Sequence, residues 1–140
     1  MSTFRIAIAD DHPTIQFAAA ELQRYLAHAT GQEVDVLDRD ATRSETPALW
    51  LGLAQYFPDV VLPGAAAGAD ARFDDAISIA REGANGIICG NNPRSVLLAV
   101  YRYLHLLGCR WVRPGADDEY IPAVDLAHTQ VRLKDCVVVR

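Results

Sequence analysis

Acid–base chemistry needs carboxylates that converge on one bond. Glycoside hydrolysis, for instance, wants two carboxyl groups roughly 5 to 10 Å apart. The 140-residue chain has three acidic groupings: Asp10/Asp11, Asp74/Asp75 and Asp117/Asp118/Glu119. Each falls at the end of an element or in a loop. Neighbouring residues on a strand point to opposite faces, so Asp74 and Asp75 are not expected to meet. All three groupings read as solvated charge. Nucleophilic catalysis needs a Ser or Cys, a base and an orienting group. Ser95 and Cys89 flank a helix start, a position that lowers a thiol pKa. Yet no GxSxG elbow is present and Cys89 lies in an apolar strand, so no catalytic residue is assigned. His12, His28, His105 and His128 lack metal-ligand spacing, and neither a metal nor a cofactor is expected. Cys89, Cys109 and Cys136 form no CxxC pair and read as buried, reduced thiols.

Two stretches offer binding chemistry instead. "GNNPRS", residues 90 to 95, opens a helix. Free backbone N–H groups there, with Arg94, could hold a carboxylate or phosphate, and a uronic acid would suit such a site. The preferred reading is plainer: Asn92 caps the helix and Arg94 pairs with a nearby acid. "CRWVRPG", residues 109 to 115, sets the planar cation of Arg110 beside the flat face of Trp111. Both are favoured interface anchors, and Trp also stacks on sugar rings. The interface role is preferred over stacking, with a plain core tryptophan as an equal alternative. Asn92, Arg94, Arg110 and Trp111 are therefore the candidate ligand- or interface-binding residues.

The elements that must position them follow from periodicity. "FRIAIA", residues 4 to 9, reads as a strand. Asp11 or His12 caps a helix with Pro13 in its first turn. Ile15, Ala18, Leu22, Tyr25 or Leu26, and Ala29 form its buried stripe, and Gly31 ends it. Strands are predicted at 34–38 and 48–54. "DDAISIAREG" and "GIICG" read as a strand pair turning at "EGANG". The second helix starts at Asn92–Pro93 and ends at Gly108. Val96, Leu97, Val100, Tyr101, Leu104 and Leu107 face inward, Arg102 and His105 outward. "CRWV" is a short strand, "RPGADDEYIP" a loop, and the tail from Thr129 a strand in need of a partner. Runs of strands between only two long helices predict an α+β fold. The expected architecture is one mixed, largely antiparallel sheet with both helices on one face, the other face being a docking surface.

Length fits a single domain spanning residues 1–140. The net charge of −5 weighs against nucleic acid or an anionic membrane as partner. No apolar run reaches the roughly 20 residues of a membrane helix. The first residues read as a strand rather than a signal peptide, which slightly favours the cytoplasm.

The opening "RIAIADDHPTIQFAAAELQRYL" resembles the start of a response-regulator receiver domain. A receiver needs an acidic Mg²⁺ pair, a phosphoacceptor aspartate ending the third strand, and a later Lys. Asp10 and Asp11 supply the pair. In "PDVVLPG", however, Pro63 and Gly64 stand where the acceptor should be, and Asp59 sits at the wrong end of the apolar run. Lys134, the single lysine, lies in the tail. A degenerate, non-phosphorylated receiver is the last of the readings.

A second resemblance covers nearly the whole chain. "AAAELQRYL", "GNNPRSVLLAVYRYL" and "LGCRWVRPG", in that order and with "EYIP" behind them, resemble the N-terminal domain of alpha-glucuronidases. They are similar also to the second domain of beta-N-acetylhexosaminidases. The resemblance implies a non-catalytic module packing against a catalytic (β/α)₈ barrel, whose carboxylates do the hydrolysis. The partner it implies is that barrel in the same protein, or a second copy in a homo-oligomer, with a carbohydrate as a further candidate. Ser95 departs from the glycine usual after the arginine, which puts a close backbone approach there in question. The chain ends about where a barrel would begin. A stand-alone carbohydrate-binding or protein-interaction module is the alternative.

Overall fold

The computed structural model describes residues 4–9, 12–37, 48–57, 60, 75–82, 85–111, 119–123 and 131–137. β1 (Phe4–Ile8) leads to α1 (Pro13–Thr30), then β2 (Val34–Leu37) and β3 (Leu49–Leu53). A single 3₁₀ turn, Ala54–Tyr56, follows β3. β4 (Asp75–Glu82) and β5 (Asn85–Gly90) precede α2 (Pro93–Leu106), and β6 (Arg110–Trp111), β7 (Glu119–Tyr120) and β8 (Val131–Val137) complete the order.

Local chemistry explains both helices. His12 caps α1, its Nδ1 accepting from the Thr14 N–H at 3.1 Å; Asp11, the alternative cap, lies outside the described residues. Pro13 and Pro93 occupy first-turn positions where a missing N–H costs nothing. Gly31 closes α1 in the left-handed conformation (φ 68°), its N–H returning to Ala27 O at 3.0 Å. Ile15, Ala18, Leu22, Tyr25, Leu26 and Ala29 are all buried, so the helix turns both Tyr25 and Leu26 inward.

The main sheet has six strands in the order β2-β1-β3-β5-β4-β8. β1 pairs in parallel with β2 and β3, and β3 with β5. β4 is antiparallel to β5 and β8. The fold is α+β with a mixed sheet, as predicted, but the largely antiparallel detail is corrected: three of the five pairings are parallel. Periodicity within a strand carries little information about its neighbour's direction. The near-continuous apolar runs "ALWLGLA" and "GIIC" were the available signal, since parallel strands are buried on both faces.

Both helices pack on one face, over Phe4, Ile6, Leu49, Leu51, Ile77, Ile79 and Ile88. They also touch each other, Tyr101 Oη donating to Glu21 Oε2 at 3.0 Å. The reverse face is not the open docking surface expected. There Ala7, Ala48, Trp50 and Cys89 form a second buried cluster with Phe57, and Val60 packs against it. Trp50 is a core residue, 5% exposed.

α2 lies slightly rotated from the predicted orientation. Val96, Val100 and Leu104 are buried as expected, but Ser95, Ala99 and Tyr103 join them, while Leu97, Tyr101 and Leu107 are half-buried at its margin. Arg102 and His105 face solvent. The segment predicted as a loop after Val112 contributes β7, which pairs with β6 as Arg110↔Tyr120 and Trp111↔Glu119. The tail finds its partner in β4.

The layers meet closely at Gly90. A Cβ there would lie 2.6 Å from Ser95 Cβ, and 2.9 Å from both Ser95 C and Val96 N. Two of these atoms are helix backbone and the third is the Cβ of a buried side chain, so none of them can yield. Gly90→Ala is expected to destabilise the fold by about 1–3 kcal/mol or more through overpacking, read as a lower urea midpoint at unchanged m-value.

Candidate functional site

Parallel strands β1, β3 and β5 end on one edge of the sheet, and antiparallel β4 begins there. Both long helices also start at that edge. In open sheets with parallel strands, this carboxyl edge is where ligands bind. It gathers His12, the 3₁₀ turn after β3, and "GNNPRS" with Asp75.

Asp75 is the hub of that edge. Its Oδ1 accepts from Arg94 Nε at 3.0 Å and Nη2 at 2.9 Å, from Ser95 Oγ at 2.7 Å and more weakly from Asn92 Nδ2 at 3.4 Å. Asn92 Oδ1 caps α2 by accepting from the Ser95 N–H at 2.8 Å. Asn91 Oδ1 accepts from the Ala76 N–H at 3.1 Å and lies 2.7 Å from Ser95 Oγ, so the single hydroxyl proton is contested between Asn91 and Asp75. The Asn91 N–H donates back to Ala76 O at 3.2 Å. Four residues of the motif, Asn91, Asn92, Arg94 and Ser95, thus turn onto the first two residues of β4.

Asp75 was predicted to be solvated loop charge, which the structure corrects: its side chain is 15% exposed. Burial would push its carboxyl up. The hydrogen bonds from Arg94, Ser95 and Asn92, with the Arg94 charge, outweigh that and hold it below the ordinary carboxylate value. A register argument could have found this contact. With Glu82 opposite Asn85, counting outward along the hairpin sets residue 75 across from residue 92.

The four candidate residues do not converge. Asn92 and Arg94 sit at the start of α2. Arg110 sits past its end, where Nη1 donates to His105 O at 2.9 Å and Cys109 O at 2.8 Å, with His105 Nδ1 at 3.3 Å. It satisfies terminal carbonyls and complements the negative end of the helix dipole. Fourteen residues of α2 separate the two ends, about 20 Å of helix. Trp111 lies on β6, and its ring lies outside what the structure describes.

Receiver chemistry is not assembled at the described positions. Asp10 and Asp11 lie outside the described residues, as does Asp59. β3 ends in Leu53, followed by Ala54 and Gln55, with no carboxylate where a phosphoacceptor would stand. Lys134 pairs in register with Ser78, within the edge strand and away from the carboxyl edge. Cys89 and Cys109 are buried free thiols. Among the described residues no group of three or more His, Cys, Asp or Glu could hold a metal ion, and no helix is long and apolar enough to cross a membrane.

One buried polar pair escaped the sequence reading. Arg81 is 2% exposed and Tyr103 fully buried, between β4 and α2. Burial pushes the Tyr103 hydroxyl up to about 12, against a smaller opposing pull from Arg81. The two lie close enough to interact, though the hydroxyl makes no geometrically sound hydrogen bond among the described residues. Arg81 follows the alternation of Ile77 and Ile79 on β4, so the signal lay in the strand's own period.

No family model matches the chain, and no curated protein matches it significantly.

The hub orders a set of substitutions. Asp75→Ala removes one of the two acceptors of the buried Ser95 hydroxyl and the partner of Arg94, costing about 1–3 kcal/mol. Arg94→Ala, removing a half-exposed partner, costs about 1 kcal/mol or less. Because the folded pKa of Asp75 lies below its ordinary value of 3.8, its contribution is full above about pH 4 and fades as the pH falls through the lower folded value. Denaturant titrations should show a steeper acid loss in the wild type than in Asp75→Asn.

Proposed function

We propose that this chain is a non-catalytic accessory domain of a carbohydrate-active enzyme resembling the alpha-glucuronidases. In that role it packs against a catalytic barrel of the same protein. The observation that carries the reading is the use made of "GNNPRS", the most specific stretch of the resemblance. Its side chains are spent on one another, on Asp75 and on the backbone of β4. A motif committed to bracing a helix is a fold motif, as the resemblance implies. The placement of both helices over one face of a mixed sheet supports the same reading.

The arginine geometry supports it from the chemical side. A uronic acid carboxylate at Arg94 would have to displace Asp75 from a two-nitrogen contact, leaving a largely buried carboxylate with fewer donors. The domain's expected contribution is therefore mechanical: a rigid body whose surface, not its helix-start motif, meets the barrel.

The reading is tested by assay of two proteins. Residues 1–140 alone should neither hydrolyse an aryl glucuronide nor give saturable heats with glucuronic acid or xylo-oligosaccharides. The product of the complete reading frame should release glucuronic acid from decorated xylo-oligosaccharides. A saturable heat from the 140-residue chain, lost in Trp111→Ala with folding intact, would establish the stand-alone binding module instead. A reading frame with no barrel sequence removes the proposal outright. Stoichiometric labelling by acetyl phosphate with Mg²⁺ would revive the receiver.

A further inference from the structure

The hairpin between β4 and β5 contains the dipeptide Asn85–Gly86, at the point where β5 enters the sheet. Asn followed by Gly is the pair most prone to cyclise: glycine's bare α-carbon lets its backbone nitrogen reach the neighbouring amide. The Asn85 side chain is exposed. The nucleophile is not free, because the Gly86 N–H donates to Ala48 O at 3.1 Å, beside the β3–β5 pairing Leu49↔Gly86. Reaching the Asn85 amide requires that bond to open and the backbone to rotate out of the sheet.

Packing keeps the reactive residue in place. A Cβ at Gly86 would lie 2.7 Å from Ala80 O, 2.8 Å from Leu49 Cδ1 and 3.0 Å from Arg81 Cα. A larger residue, which would slow cyclisation, meets backbone on the β4 side. The same close approach that seats β5 between β3 and β4 thus installs a chemically labile pair at its first turn.

We propose that Asn85–Gly86 is a latent modification site, forming a succinimide and then aspartate or isoaspartate, and gated by opening of the Gly86–Ala48 pairing. In the ring-forming step the Gly86 nitrogen bonds to Asn85 Cγ, and the side-chain nitrogen leaves as ammonia with the proton that Gly86 gives up. Water then adds to either ring carbonyl and opens the ring. Addition at one carbonyl returns an ordinary aspartate. Addition at the other routes the main chain through the side chain, lengthening it by one methylene where Asn85 faces Glu82. That isomer is out of register at the start of a strand paired on both sides, so the modification is a one-way loosening of the sheet.

The test incubates the native protein and a denatured sample side by side in mildly alkaline buffer. Tandem mass spectrometry of the tryptic peptide Glu82–Arg94 follows the amide-to-acid mass gain, with chromatography separating the isoaspartyl form. The native protein should convert more slowly by about tenfold or more, because the reaction waits on local opening. Leu49→Ala, which loosens the β3 side of the pairing while the protein remains folded by circular dichroism, should raise the native rate toward the denatured one. Asn85→Gln should abolish the mass gain, and as an exposed change it leaves the core intact. Equal native and denatured rates would overturn the gating. A mass gain that persists in Asn85→Gln, or that maps to Asn91 or Asn92, would overturn the site.

Discussion

The fold turns on how closely the first turn of α2 lies on the end of β5. At Gly90 the two are in contact with no space for a methyl group. Such an approach needs every polar group in the seam to find a partner inside it, because water is excluded. Ser95 is completely buried there, and its hydroxyl has acceptors in Asp75 and Asn91. Arg94, with Ser95 and Asn92, favours the ionised form of Asp75. Gly90, Ser95, Asp75 and the two asparagines are one unit. The close approach in this seam is made at residue 90 of β5, where the absence of a side chain leaves room for Ser95 of α2.

Helix α2 is held at both ends by side chains weighed as binding candidates, and at its start by the cap and acid pairing that the sequence reading preferred. Asn92 and Arg94 work at its start and Arg110 at its finish. Arg94 bridges from the helix to β4, and Arg110 folds back on the last carbonyls. An arginine beside a helix start has the same composition whether it awaits an anion or has one already. The difference is whether an acid lies within reach, and that acid comes from a strand nineteen residues earlier.

The sheet sets the second constraint. Three parallel pairings place β1, β3 and β5 inside the sheet, with buried apolar residues on both faces. The helices cover one face, and Phe57 with its neighbours packs on the other. Trp50 and Cys89, on that reverse face, are core residues rather than exposed ones. Continuous apolar runs in β3 and β5 recorded this in the sequence, yet the same runs suit a buried strand in any direction. Arg81 was equally legible by alternation, but a charge in a buried stripe runs against the ordinary cost of burial.

Local elements were written in the sequence. Both prolines, the Asn92 cap, Gly31 and the buried stripe of α1 are short-range effects, set within a turn or two of chain. So was the β4–β5 hairpin, where two apolar runs flank a tight turn. Tertiary structure alone decided strand direction and order, because pairing partners are chosen by which buried faces fit together over long separations. It alone also made Asp75 a hub. Its carboxylate is solvated charge in any window of sequence, and becomes an interior brace only when β4 pairs beside β5 and α2 closes over the end of both.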